Sequence, residues 1–155
     1  IAGIAMLVFL GTDIVLFLAF LATVILLRYF KRLFVVPFET APILFFTLVL
    51  THLAGLKAAI VFVIAAQLIG GVVSYQLGPL EPLWVIKSVL AALLFSALGM
   101  SLVAGGLLIA LLDAGATMLF KWKLMGLEEL PAEAAVFVLN AVVFLTLGRI
   151  IMLLA

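Results

Sequence analysis

Charged residues in this chain are spaced so that they divide it into apolar runs of about the length that crosses a lipid bilayer. Basic clusters begin at Arg28 and at Lys121, and an acidic pair stands at Glu128 and Glu129. The runs between these charges are continuously apolar, and a membrane helix needs about 20 such residues. The spacing therefore predicts an integral membrane protein built from helices.

The composition supports the same environment. Of the 155 residues, 70% are hydrophobic and 10% are charged, whereas a soluble domain is about half apolar and a quarter charged. A fold in water could not cover so many apolar side chains. The net charge of +1 provides no concentrated basic face for nucleic acid. We therefore expect a single integral membrane domain over residues 1–155, with the lipid bilayer around it.

Six apolar runs are long enough, or nearly so, to be membrane helices, and they predict an all-α polytopic transmembrane bundle. Backbone groups in lipid must be satisfied within each segment, which favours helices. The stretch 82–120 is too long for one span, so we divide it at Gly99-Met100-Ser101, and Pro82 suits the first turn of the helix before this break. The predicted spans are 1–27, 41–53, 58–77, 82–98, 102–120 and 132–154.

Basic residues in short loops predict how the bundle is oriented, because such loops remain on the cytoplasmic side. One side of the predicted bundle carries most of them, and Lys57 flanks the other side. We expect the first side to be cytoplasmic, both termini to face outward, and the protein to reside in the plasma membrane. The residues on the first side are Arg28, Lys31, Arg32, Lys121 and Lys123.

Small residues recur at a spacing of four along three consecutive spans, and such rows let membrane helices approach closely. We expect these three spans to form a tight sub-bundle, although small residues are also common in membrane helices for other reasons. The rows are Ala66, Gly70 and Ser74 in the third span, Ser88, Ala92 and Ser96 in the fourth, and Gly106, Ala110 and Ala114 in the fifth.

Two aspartates, Asp13 and Asp113, each lie about twelve residues from the outer end of a predicted span, or about 18 Å at the rise of an α-helix. They are predicted to share a depth near the midplane, where a lone carboxylate is costly by about 3 kcal/mol. Two adjacent carboxylates could share a proton or hold a cation. Each aspartate could equally bond to a neighbouring helix or, for Asp13, lie near the interface.

Three further polar residues extend this candidate substrate- or ion-binding site. Arg149 lies high in the last span, and its side chain should lean toward the midplane, where it could pair with an aspartate; snorkelling to the outer surface is the alternative. Gln67 and Asn140 could bridge helices or contact a solute, bridging being the more frequent role. The predicted set is Asp13, Asp113, Gln67, Asn140 and Arg149.

Other polar residues fit structural roles better. His52, the single histidine, sits at the outer end of its span as an interfacial residue, with a proton relay as the less frequent alternative. Lys87 lies about one turn inside its span and is expected to snorkel. With one histidine and no cysteine, zinc, haem ligated by paired histidines, disulfides and thiol catalysis are disfavoured, while a hard cation bound by aspartate oxygens remains open.

Motifs typical of enzymes are absent from the sequence. No glycine-rich phosphate loop, nucleophile elbow or metalloprotease motif is visible. Two membrane aspartates invite comparison with intramembrane aspartyl proteases, but their Gly-x-Gly-Asp motif is matched neither by Leu10-Gly11-Thr12-Asp13 nor by Leu111-Leu112-Asp113-Ala114. An enzymatic function is therefore the least favoured, and no catalytic residue or cofactor is assigned.

One arrangement of residues resembles a known family. The short apolar spans, with Gly55-Leu56-Lys57-Ala58-Ala59 leading to Gly70-Gly71 and with Asn140 in the last span, resemble the substrate-binding S components of energy-coupling-factor transporters. That resemblance implies a protein that binds a vitamin or a metal ion in the membrane and docks onto a transmembrane partner and ATPases. No binding residue is transferred from the family.

Two functions follow from these patterns. The polar set near the midplane predicts a small membrane transport component that binds or conducts a small solute or cation, with partner subunits. The short loops and the lack of catalytic motifs instead favour a non-catalytic structural subunit of a larger membrane complex. The sequence leaves both open.

Overall fold

The structure, a computed structural model, describes residues 12–34, 42–74, 81–125 and 130–154. These residues form a helical bundle without any strand in the described ranges, which confirms the predicted all-α class. The helices are α1 (Thr12–Phe34), α2 (Ile43–Leu53), α3 (Leu56–Ser74), α4 (Glu81–Leu98), α5 (Leu102–Met125) and α6 (Leu130–Val143), the last continuing through a π-helical segment (Phe144–Gly148) into α7 (Arg149–Leu154).

Three of these helical segments are long and apolar enough to cross a membrane: Leu56–Val73, Leu102–Lys123 and Pro131–Leu153. Three shorter apolar helices accompany them over Ile14–Phe30, Ile43–Leu53 and Pro82–Leu98. Integration into a membrane agrees with the sequence, while the number of crossings stays a prediction. The beginning of the first predicted span, residues 1–11, lies outside the described residues.

Two predicted helix ends are wrong. Helix α1 continues past the basic cluster at Arg28 and ends at Phe34, and α5 continues past Lys121 and ends at Met125. The physical reason is that a charged residue marks where a helix meets water, and the helix itself can extend beyond that surface for another turn or two. The charges therefore locate the membrane boundary better than they locate the helix end.

Glycine-containing turns join two of the helix pairs. Gly55 between α2 and α3 has φ 87°, and Gly99 between α4 and α5 has φ 59°, a left-handed conformation that side chains with a Cβ adopt at a cost. The predicted division of residues 82–120 at Gly99 is thus confirmed. Pro82 lies in the first turn of α4, where its missing N–H costs nothing.

The short helix α2 forms the centre of the bundle. Eight of its residues from Ile43 to Thr51 are buried, and it contacts α1, α3, α4, α5 and α6. The ring of Phe46 stacks on the ring of Phe20 of α1, with 4.4 Å between the ring centroids. The ring of Phe45 meets the ring of Phe144 edge-on, with 5.1 Å between the centroids. An apolar helix of this length is more often a buried core helix than a complete membrane span, and α2 occupies such a position.

The predicted sub-bundle of the third, fourth and fifth spans is only partly present. Helix α4 packs on both α3 and α5, but α1 with α3 is the more extensive pairing, and α5 packs more on α6 than on α4. Ala92 and Ala110 are buried, whereas Ser96 is exposed. The row of small residues on α5 was expected to face α4. Its Gly106 instead contacts Phe144, which follows α6. Spacing alone did not indicate which helix each row would face.

Candidate functional site

An arginine of α1 and a glutamine of α3 bond inside the bundle. The Nη2 of Arg28 donates to Oε1 of Gln67 at 2.5 Å, and its Nη1 donates to the carbonyl oxygen of Gln67 at 3.4 Å. Both residues are buried, with exposures of 7% and 5%. Arg28 was expected at the cytoplasmic surface, and the structure instead places its guanidinium between two helices, because side chains on a helix lean toward its N-terminus.

A glycine provides the space for that arginine. A Cβ built on Gly70 of α3 would lie 2.7 Å from Cδ and 3.0 Å from Nη1 of Arg28. Real Cβ atoms do not approach other heavy atoms so closely, so any side chain at this position would displace the arginine. Gly70, which the sequence placed in a helix-packing row, therefore admits a charged side chain from the adjacent helix.

A lysine and an aspartate pair across α4 and α5. The Nζ of Lys87 lies 3.1 Å from Oδ1 and 3.2 Å from Oδ2 of Asp113, and it also donates to Oγ1 of Thr117 at 3.2 Å. The indole ring of Trp84 lies 4.7 Å from the same ammonium. Side-chain exposures are 31% for Lys87 and 16% for Asp113, so the pair is accessible in part.

This pairing corrects two predictions. Lys87 does not snorkel, and the partner of Asp113 is Lys87, not Arg149. Lys87 stands twelve residues before Gly99, and Asp113 stands twelve residues after Ser101. In an antiparallel hairpin, residues equally distant from the turn lie side by side, so this spacing is the signal by which the pair could have been found from the sequence.

Among the described side chains, Asn140 and Arg149 form no hydrogen bond or ion pair with either of these two pairs. Asp13 is the second residue of α1, and its side chain is outside the described part of the structure. Asn140 is half-buried on α6, and Arg149 is exposed. His52 is also exposed, at the end of α2. Gln67 and Asp113 bond to different partners on different helix pairs, so the five predicted residues do not form one described constellation.

Another ion pair lies near the connection between α5 and α6. The Nζ of Lys121 is 2.6 Å from Oε1 of Glu133. Lys121 was expected at the membrane boundary, and both residues lie near the ends of their helices. We regard this pair as a clamp on the helix hairpin, separate from the groups deeper in the bundle.

The group around Lys87 has the chemistry of a cation site. A carboxylate, a hydroxyl oxygen and an aromatic face surround the lysine ammonium, and each of these groups attracts cations. Within the described residues, no three histidine, aspartate or glutamate side chains come together as they would around a divalent metal. The lysine ammonium is itself a monovalent cation held by these groups.

The chain was also compared with protein-family models, with curated proteins and with solved structures, and no match was found in any of the three.

Proposed function

We propose that this protein is a small membrane transport component that binds a monovalent cation at Asp113 and Thr117, in place of the Lys87 ammonium. The observation that supports this most is the ion pair of Lys87 and Asp113. The pair lies between apolar helices, and both side chains are still partly exposed. Charged side chains within membrane helices are costly, and they commonly mark the pathway of an ion or solute. The candidate solute is an alkali cation or a small ammonium ion.

The position of the pair favours such a role over a purely structural one. Lys87 lies about 9 Å from the beginning of α4 and Asp113 about 17 Å from the beginning of α5, counting 1.5 Å for each residue. Both are therefore well inside apolar helices. Nearly a third of the Lys87 side chain is exposed, so the pair is not sealed inside the bundle. An incoming cation can compete with the Lys87 ammonium for the Asp113 carboxylate.

A flux assay in liposomes tests the proposal. The probes are radioactive sodium, rubidium and methylammonium, each measured with the purified protein and with protein-free liposomes. We expect at least one probe to enter faster with the protein present. Asp113→Asn should reduce that flux at least about tenfold, since a cation loses its charged ligand.

Glu133→Gln is the matched control, because it removes a carboxylate from another ion pair at the boundary of the bundle. It should leave the flux within about twofold of the original. Equal flux in the Asp113→Asn protein and the unaltered protein, both monodisperse in detergent, would contradict the proposal. So would the absence of flux for all three probes.

A second function, a structural subunit of a larger membrane complex, is favoured by a different observation. In the span Pro131–Leu153 only 17% of the residues are buried, against 39% in each of the other two long spans. One exposed apolar face of this helix carries Ala134, Ala135, Val138, Leu139 and Val142. Such a face could pack against another membrane subunit, as the resemblance to S components would also imply.

Particle size in mild detergent tests this alternative. A structural subunit should migrate in a complex, and Ala135→Phe, which places a bulky ring on this apolar face, should release it as the free chain. Leu111→Phe, a change at an exposed position of α5, is the control and should leave the complex intact. A complex that survives Ala135→Phe would count against this surface.

A further inference from the structure

Arg28 carries a charge that the described residues do not balance. Its guanidinium is buried, and Gln67 is the partner of its hydrogen bonds, but no carboxylate in the described ranges lies within ion-pair distance of it. A guanidinium has five N–H donors, and the two bonds to Gln67 use two of them. A buried charge is normally paired with an opposite charge. We propose that Arg28 and Gln67 form a binding site for a phosphate group.

The neighbouring helix shapes this site. The side chain of Arg28 lies against Gly70 of α3. A Cβ at position 70 would be within 3.3 Å of Cδ, Nη1 and Nε of Arg28. Gln67 holds the guanidinium by both its side-chain and its main-chain oxygen. The planar fork of an arginine in a fixed orientation matches two oxygens of one phosphate. The site is thus held in place before a ligand arrives.

The register of α1 against α3 places Arg28 near one end of the bundle. The rings of Phe17 and Phe62 meet at 5.9 Å between centroids. Arg28 follows Phe17 by eleven residues, and Val73, next to the last residue of α3, follows Phe62 by the same number. The Cα of Arg28 is therefore about level with the end of α3, and its side chain reaches back to Gln67. This is the depth at which a phosphate headgroup can meet a basic residue between helices.

The surroundings also match a membrane–water boundary. Tyr29 and Phe30 are exposed on α1 next to Arg28, and aromatic residues concentrate at that boundary. Lys31 and Arg32 follow on the same helix, so positive charge accumulates at this end. The phosphate can come from an anionic phospholipid or from inorganic phosphate, and the two sources share the same recognition by the guanidinium.

Thermal unfolding, followed by the fluorescence of Trp84 and Trp122, tests the site in three media. These are bilayers of phosphatidylcholine, bilayers of equal parts phosphatidylcholine and phosphatidylglycerol, and phosphatidylcholine with millimolar inorganic phosphate. We expect Tm to rise by at least about 3 °C in one of the last two, because a ligand that binds the folded state stabilises it. A rise with phosphatidylglycerol alone identifies a lipid, and a rise with inorganic phosphate identifies a free anion.

Two variants make the result specific. Arg28→Gln should lose most of the rise in Tm, whereas Lys123→Gln, which removes an exposed charge at the corresponding end of α5, should retain it. Should Arg28→Gln fail to fold, Arg28→Lys keeps the charge without the planar fork and should lose more than half of the rise. An unchanged rise in the Arg28 variant, or no rise in any medium for the unaltered protein, would overturn the proposal.

Discussion

The ring of Phe144 lies directly against the backbone of Gly106, so that no side chain fits at position 106. The π-helical segment that begins at Phe144 turns this residue into the core, where it is fully buried and meets Phe45. Phe144 therefore packs the π-helical segment after α6 against α5 and, through its contact with Phe45, against the central helix α2. The π-helical segment is a short local departure within an otherwise α-helical stretch.

Gly106→Ala should therefore destabilise the protein by about 1–3 kcal/mol, because the added Cβ collides with a buried ring that has little space to move. The measurement is the free energy of unfolding in detergent. Gly115→Ala is the matched control, since Gly115 lies in the same helix and nothing stands within 4 Å of its added Cβ. That control should be neutral or should stabilise by up to about 1 kcal/mol. Equal effects of the two changes would contradict the packing described here.

Gly70→Ala should displace Arg28 from Gln67. The expected cost is about 1–3 kcal/mol, since a buried amide and a buried guanidinium then lose their hydrogen bonds. The measurement is thermal stability with and without Arg28→Ala in the background. In that background Gly70→Ala should be close to neutral, because the side chain with which it collides is gone. A cost that persists there would show that Gly70 serves the helix backbone and not the arginine.

Lys87 and Asp113 should be coupled in stability. Lys87→Met or Asp113→Ala alone leaves one unpaired charge in an apolar surrounding, whereas the double change removes both charges. We expect the double variant to be more stable than the sum of the two single changes implies, by at least about 1 kcal/mol. A double-mutant cycle in detergent measures this energy. Strict additivity would mean that the 3.1 Å contact contributes nothing.

Gly99→Ala should cost about 1 kcal/mol, since φ at this position is 59° and a Cβ is disfavoured in that conformation. Nothing lies within 4 Å of the added Cβ, so the cost comes from the backbone alone. Gly99→Asn should cost less, because asparagine tolerates the left-handed region better than alanine does. Equal losses for alanine and asparagine would point to another cause.

The order of helices and breaks was largely predictable from the residues. A bilayer imposes both a length and an internally bonded backbone on each apolar run, and Gly99 and Pro82 mark their turns by their own conformational preferences. The same reasoning misplaced the ends of α1 and α5, because a charge indicates the surface of the membrane and not the last helical residue. The central position of α2 was not predicted, since an apolar run of this length does not indicate which helices will surround it.

The candidate site was predicted less well. Asp113 and Gln67 were selected because polar groups in lipid need partners, and both indeed have partners. The identity of those partners was missed. Lys87 and Arg28 were assigned to the membrane surface, because long basic side chains usually extend toward water, whereas both extend to a partner on a neighbouring helix.

By itself, the sequence determined the membrane environment, the helical class and the approximate boundaries of the helices. These features depend only on the composition and length of each apolar segment. The tertiary structure decided which face of each helix meets which neighbour, and hence that Lys87 pairs with Asp113 and Arg28 with Gln67. Helices that are apolar on almost every side can rotate about their axes at little cost in lipid. Their final rotation depends on contacts such as that of Gly106 with Phe144, which involve residues far apart in the chain.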